Sequence, residues 1–212
     1  MSAVPDLPTS LIDCTEARNN ELVVVEGKSA ANAIRSVRNS RLQAVLPMQG
    51  KIPNSTRVSE EQLLAHANVA DLLQSLHQER RVDTRIHACR YKRIIILGDP
   101  DTDGVHASIL LLLFMLKHVP SLIEEGRLFL LRAPLYGFYL HDECIAIAYS
   151  DNHAEKVFDA LTENLDAVPV KRRYKGIASL DSNMRVSLLA SDNPARNKLT
   201  LQDCRQICQP LL

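Results

Sequence analysis

Four short runs dominated by apolar residues constrain this chain more than anything else in it. Leu22–Val25, Gln43–Leu46, Arg93–Leu97 and Leu128–Leu131 are continuous rather than alternating. A strand with one wet face reads apolar, polar, apolar. An unbroken run demands cover on both faces, the condition of a parallel sheet between helices. The runs stop at Glu26-Gly27, at Pro47, at Gly98-Asp99-Pro100 and near Pro134. Between them, helices are expected over Ser29–Arg38, Glu60–Leu76 and His106–His118. The second carries Leu63, Leu64, Ala67, Ala70, Leu72 and Leu73, with Ser59 as its cap and Gln62 as the capping-box partner. The third is almost wholly apolar and should lie buried on the sheet. Strands and helices alternating in this way build right-handed βαβ crossovers. The expected fold class is therefore α/β, a central parallel sheet flanked by helices.

After Tyr136 the pattern weakens. A strand near Cys144–Ala148, a helix near Ala154–Leu161, a basic loop at Lys171–Lys175 and helices near 180–190 and 200–208 are expected. This divides the chain into a core over 1–136, with a short lead-in, and a small C-terminal extension over 137–212.

Composition excludes several classes. The 212 residues carry 25 basic and 25 acidic side chains, so binding to nucleic acid by bulk charge is ruled out. The charges are grouped instead: acids at Glu26 and Asp99–Asp103, cations within 35–41, 80–93 and 171–175. Five cysteines, at 14, 89, 144, 204 and 208, form no CxxC pair and no disulfide framework, so reduced thiols are expected. The longest apolar run, Ile109–Leu116, has eight residues. About 20 are needed to cross a bilayer, and the N-terminus has no secretory pattern. The expectation is a cytoplasmic protein with no membrane role.

The chemistry is concentrated at Asp99, Asp101 and Asp103, which alternate directly after the third run. Ligands of α/β sheets bind at the carboxyl ends of strands. Close carboxylates repel one another unless a cation neutralises them, and hard oxygen ligands that leave room for water and phosphate suit Mg²⁺. Asp-x-Asp-x-Asp-Gly also opens a calcium EF-hand. That reading fails because the twelfth loop position is Leu110 rather than Glu, and a strand rather than a helix precedes the loop. A solvated acidic turn is the plainer alternative. Glu26 ends the first run. If the first and third runs are parallel neighbours, Glu26 and Asp99 emerge at one edge, a general acid/base beside a metal site. Taken alone, Glu26 reads as a helix-start residue. Gly27-Lys28-Ser29 does not end a P-loop, since position 22 is Leu rather than Gly.

The chain carries, in order, Glu26-Gly27-x-Ser29-Ala30, Leu46-Pro47-x-x-Gly50-Lys51, Asp99-x-Asp101-x-Asp103-Gly104-x-His106, Pro134-Leu135-Tyr136 and Arg173-Tyr174-Lys175-Gly176. From about Leu7 to Asp203 it resembles the Toprim region of type II topoisomerases, as in the B subunits of bacterial DNA gyrase and topoisomerase IV. The resemblance implies a Rossmann-like Toprim core and a Mg²⁺-dependent site of DNA cleavage and religation. It assigns Glu26 the acid/base role and gives the metal to Asp99, Asp101 and Asp103, with Glu26. It places Lys51 and His106 at the catalytic site and makes Lys51, Arg173 and Lys175 contacts to DNA phosphates. The nucleophilic tyrosine would come from a separate A-type subunit, so neither Tyr91 nor Tyr174 is expected to attack. Without the resemblance, Lys171–Lys175 reads as an exposed basic loop and His106 as a capping or buried histidine.

The sequence starts at about the family's Toprim segment, without its ATPase and transducer regions, so no ATP hydrolysis by that machinery is expected from it; it reads as an excised piece, as part of a split subunit whose ATPase sits on a separate chain, or as a free-standing paralogue. Lys28 stands for the family's Asp, Gln49 for Arg, Gly137 for Lys and Ala178-Ser179 for Gly-Glu. Lys28 should bring a cation close to the acids, and the changes at 49 and 137 remove two cations that would meet phosphate. Three functions remain open: a cleavage module working with an A-type partner, a free-standing Toprim nuclease that uses water, and a divergent, weakly active module that binds DNA or a topoisomerase subunit.

Overall fold

The structure, a computed structural model, describes residues 7–16, 18–77 and 89–212. The first part of the chain forms β1 (Glu21–Glu26), α1 (Gly27–Arg35), β2 (Gln43–Met48), α2 (Glu60–Ala65), α3 (Ala67–His77), β3 (Arg93–Gly98), α4 (Thr102–His118), α5 (Pro120–Glu124) and β4 (Leu128–Arg132). The second part forms β5 (Tyr136–Leu140), β6 (Glu143–Ala148), α6 (Asp151–Asn164), β7 (Val170–Arg173), a 3-10 turn at Ile177–Ser179, α7 (Ser182–Leu189), β8 (Asn197–Lys198) and α8 (Leu201–Cys208).

The four apolar runs make the expected parallel sheet, in the order β2-β1-β3-β4, with β8 added antiparallel outside β4. Val23, Val25, Ile95 and Leu97 pack on one face with Ala30, Ala31 and Ile34 of α1. Leu22, Val24, Ile94 and Ile96 pack on the other with the apolar turns of α4. Two-sided burial is why the runs are unbroken, and each fully buried Val, Ile or Leu contributes roughly 1.5–3 kcal/mol. β1 pairs with β3, Val25 opposite Leu97, so Glu26 and Asp99 leave the sheet at the same edge.

Several local expectations are corrected. The single helix expected over Glu60–Leu76 is two helices, because His66 takes an extended backbone at φ −74° and ψ 123°. The Ser59–Gln62 capping box is present. Beyond the break, the Asn68 side chain bonds the backbone of Gln49 and Gly50. β2 continues through Pro47, which an outer strand tolerates. α4 begins at Thr102, so His106 lies one turn inside it rather than at its start. Lys171–Arg173, expected as loop, belongs to β7, and β5 has no counterpart among the expected strands.

The second part builds a three-stranded antiparallel sheet, β6-β5-β7, packed against α6 through Phe138, Ala148, Ala154, Val157 and Phe158. Its tail then returns to the first part. The Leu199 N–H donates to Leu128 C=O at 3.0 Å, and Cys204 and Cys208 of α8 are buried in the core that α4 helps to form. All five cysteines are free. Among the described residues no helix is long and apolar enough to cross a membrane. Of the basic segment 80–93, residues 80–88 lie outside the described residues.

Candidate functional site

The carboxyl edge of the sheet gathers six of the eight residues singled out from sequence. Glu26 stands at the end of β1, Asp99 just after β3, Asp101 at the cap of α4, and Asp103 and His106 in its first two turns. Lys51 follows β2 and reaches across, its Nζ 2.7 Å from Asp103 Oδ1 and 3.4 Å from His106 Nδ1. The turn that carries Lys51 is pinned from behind by the buried Asn68, whose amide binds Gln49 N–H and the carbonyls of Gln49 and Gly50. Nothing in the spacing of an apolar helix marks that asparagine as part of the site.

Each aspartate has a partner of its own. Asp101 Oδ1 accepts the Gly104 N–H at 2.8 Å and so starts α4. Asp103 is exposed and paired with Lys51, whose hydrogen bond and charge hold its carboxyl below the usual range. Asp99 Oδ1 accepts the N–H of Ile177 at 2.8 Å, a contact between residues 78 positions apart. Gly176 fits because it has no side chain: a Cβ there would lie 2.9 Å from Asp99 Oδ2. Burial pushes the Asp99 carboxyl up, the Ile177 hydrogen bond pulls it back, and the charge of Asp101 pushes it further up.

Glu26 has no such support. Among the described residues its Oε2 is buried without a hydrogen-bond partner. Burial raises its pKa, as do the charges of Asp99, Asp101 and Asp103, against a single opposing influence from Lys51. A cavity of about 30 Å³ lies against Glu26, Gly50, Lys51, Gly98 and Gly104. The cation beside the acids is thus Lys51. Lys28, expected to fill that place, is exposed and makes no ion pair among the described residues.

The two remaining candidates come from the second part of the chain. Lys175 directly precedes the Gly176 that touches Asp99, which brings it to the acid edge. Arg173 lies instead on β7 with its guanidinium 6.0 Å from the centre of the Tyr136 ring. Ser179, one of the departures noted from sequence, holds the intervening turn: its Oγ accepts from the N–H groups of Lys175 and Gly176 and donates to Gly176 C=O at 2.7 Å. Tyr174 is buried at 4% exposure with its hydroxyl bonded to Tyr139, a poor position for a nucleophile.

The family model of the Toprim domain matches residues 21–132, the span from β1 to β4. The chain belongs to the Toprim domain family. Its Toprim domain is related to those of the B subunits of type II topoisomerases. The chain is 33% identical over 179 residues to the B subunit of DNA topoisomerase 4 from Haemophilus influenzae, 84% of this chain and 28% of that protein. It is 30% identical over 205 residues to the novobiocin-sensitive B subunit of DNA gyrase from Streptomyces niveus, 94% of this chain and 30% of that one. It is 34% identical over 181 residues to the B subunit of DNA gyrase from Mycobacterium tuberculosis, 83% and 27%. The chain therefore spans under a third of these relatives. The fold is shared with the DNA-binding, cleavage and re-ligation domain of Plasmodium falciparum topoisomerase II, at a TM-score of 0.69, 20% identity, and 86% of this chain against 26% of that one.

Among the described residues no three Asp, Glu, His or Cys side chains form a ready metal-binding group. The chemistry of this Toprim edge nonetheless fits a hard cation. Its acidic donors are all carboxylate oxygens, one of them is buried and unpartnered, and two of the carboxyls are raised by burial and mutual repulsion.

Proposed function

We propose that this chain is the Mg²⁺-dependent DNA cleavage–religation module of a type II topoisomerase, working with an A-type subunit that supplies the tyrosine. The observation that carries the reading is Glu26, a carboxyl with an unpartnered buried oxygen facing three aspartates at one sheet edge. Glu26, Asp99, Asp101 and Asp103 are the residues proposed to hold the cation. When bound, Mg²⁺ offsets charge on the phosphate and on the leaving oxygen.

The chain's own groups carry the rest. Glu26, whose pKa is raised by burial and by the charges of the neighbouring aspartates, holds and returns the proton of the DNA hydroxyl. Asp99 is fixed by the Ile177 N–H at one of its carboxylate oxygens. Lys51 is held to Asp103 only by an exposed ion pair, so it is free to turn toward phosphate, with His106 beside it. Lys175, exposed beside Gly176, adds a cation, and Arg173 contacts the DNA backbone further along. DNA and the A-type subunit are the proposed partners.

The test mixes the purified chain with Mg²⁺ and supercoiled plasmid, with and without an A-type subunit, alongside Asp101→Asn, which keeps a capping oxygen for Gly104. Protein-linked breaks that need the partner and vanish in the variant support the proposal. Cleavage without the partner points to a nuclease that uses water. Binding to DNA or to the A-type partner with no cleavage in either mixture points to the divergent module.

A further inference from the structure

Asp99 is the acid held by a distant part of the chain, and the loop that holds it is itself tied down from beneath. Tyr174 enters that loop and Asp181 leaves it; between them lie Lys175, Gly176 and the 3-10 turn at Ile177–Ser179. Tyr139 of β5 hydrogen-bonds both Tyr174 and Asp181. A carboxylate only accepts, so the Tyr139 hydroxyl donates to Asp181 and the Tyr174 hydroxyl donates to Tyr139. One hydroxyl therefore ties the two ends of the loop together. Tyr139 and Tyr174 are 3% and 4% exposed, inside the same apolar cluster as Val25 and Leu97, which lead into Glu26 and Asp99. Gly137 makes the arrangement possible, since a Cβ there would collide with the Tyr174 hydroxyl and come within 2.9 Å of the Tyr139 ring. The Tyr174 N–H, bonded to Leu135 C=O at 2.9 Å, fixes the loop's entry from the backbone side.

We propose that the Tyr174–Tyr139–Asp181 hydrogen-bond chain is a clamp that positions Asp99, by holding Gly176 and the Ile177 N–H against its carboxylate. Tyr139 and Asp181 are positioning residues: neither touches the acid edge, and both act through the loop. Ser179 gives the loop its shape through bonds inside it. The clamp gives it its place. Without that, Asp99 loses the Ile177 donor and is left facing the charge of Asp101. Any effect on cation binding rests on the reading of Asp99 given above. The effect on the Ile177 amide does not.

The test uses the full chain with Tyr139→Phe, Asp181→Ala, Asp181→Asn and Asp99→Asn. Hydrogen exchange at the Ile177 amide is read by NMR without metal, Mg²⁺ affinity by calorimetry, and amides of β1 and β3 serve as the control for global stability. A hydrogen bond contributes about 1 kcal/mol net, so Tyr139→Phe and Asp181→Ala should each speed Ile177 exchange about fivefold relative to the sheet amides. Mg²⁺ affinity should fall by a similar factor. Asp181→Asn keeps an acceptor oxygen and should stay near the parent on both readouts. Ile177 exchange that is unchanged, or that rises only in step with the sheet amides, overturns the clamp and leaves Tyr139 and Asp181 as packing. If Asp99→Asn leaves Mg²⁺ affinity unchanged, the cation reading falls, and the Ile177 amide still decides the clamp.

Discussion

Strand β1 begins and ends on a glutamate, and the two could hardly be treated more differently. Glu21, 3% exposed, lies at the amino edge of the sheet. It accepts from Arg93 at 2.7 Å, from Arg196 at 2.8 Å and 3.3 Å, and from Gln43 at 2.9 Å. Burial alone would raise its pKa; the bonds from Arg196 and Gln43, with the charge of Arg196, turn the balance and hold it below the usual carboxylate range. Glu26, five residues on, keeps a buried oxygen with no partner among like charges. The first carboxylate is completed by the chain itself and ties β1, β3 and the segment before β8 together. The second keeps an unpartnered buried oxygen and a raised pKa, the pair of observations on which the proposed cation role rests.

The largest expected effect tests the satisfied end. Removing one partner from a buried pair leaves a stranded charge, so Glu21→Ala should cost about 3–5 kcal/mol in urea unfolding. Glu26→Gln should leave stability within about 0.5 kcal/mol of the parent or raise it, because it removes a repelled charge. It should nevertheless lower partner-dependent cleavage about a hundredfold or more, the usual share of a general acid/base. The contrast breaks if the two substitutions cost the same stability.

The pH dependence of the metal-free chain sharpens it. Glu26 and Asp99 have raised folded pKa values, so their share of stability is present below their unfolded values of 4.5 and 3.8 and is lost as pH rises through the folded ones. Glu21 is depressed, so its share is present above 4.5 and is lost as pH falls through the folded value. The share of these three carboxyls should therefore rise from neutral pH into mild acid and then fall, against His118, whose pKa burial lowers and whose share is lost as pH falls below 6.5. Glu26→Gln flattens the first limb, and Glu21→Ala removes part of the second. The smallest expected effect is that of Lys51→Ala: its exposed pair with Asp103 contributes little to folding, so urea unfolding stays unchanged while DNA affinity drops a few-fold, read by anisotropy.

The parallel sheet was legible because Leu22–Val25 and Arg93–Leu97 are buried on both faces, and burial of that kind is written in composition. The Asp99–Asp103 cluster was legible because its members are neighbours in sequence. The helix break at His66 was not, since Ala67, Ala70 and Leu73 continue the helical spacing across it. Nor was β7: Val170–Arg173 are exposed, and pairing with β5 orders them, with Lys171 and Arg172 4.4 Å and 4.2 Å from the rings of Tyr136 and Tyr139. The hold of Ile177 on Asp99 leaves no local trace at all, because a backbone N–H can come from any residue but proline. What was hidden is what one part of the chain does to another.

The central proposal is that the carboxyl edge binds a cation, and Mg²⁺ titration followed by calorimetry and by thermal unfolding tests it most directly. The parent chain should bind Mg²⁺ and melt at a higher temperature in its presence. Glu26→Gln with Asp99→Asn should lose both responses, and Glu21→Gln, if it folds, should keep them. A parent chain that ignores Mg²⁺, or a double variant that responds as the parent does, would contradict the account.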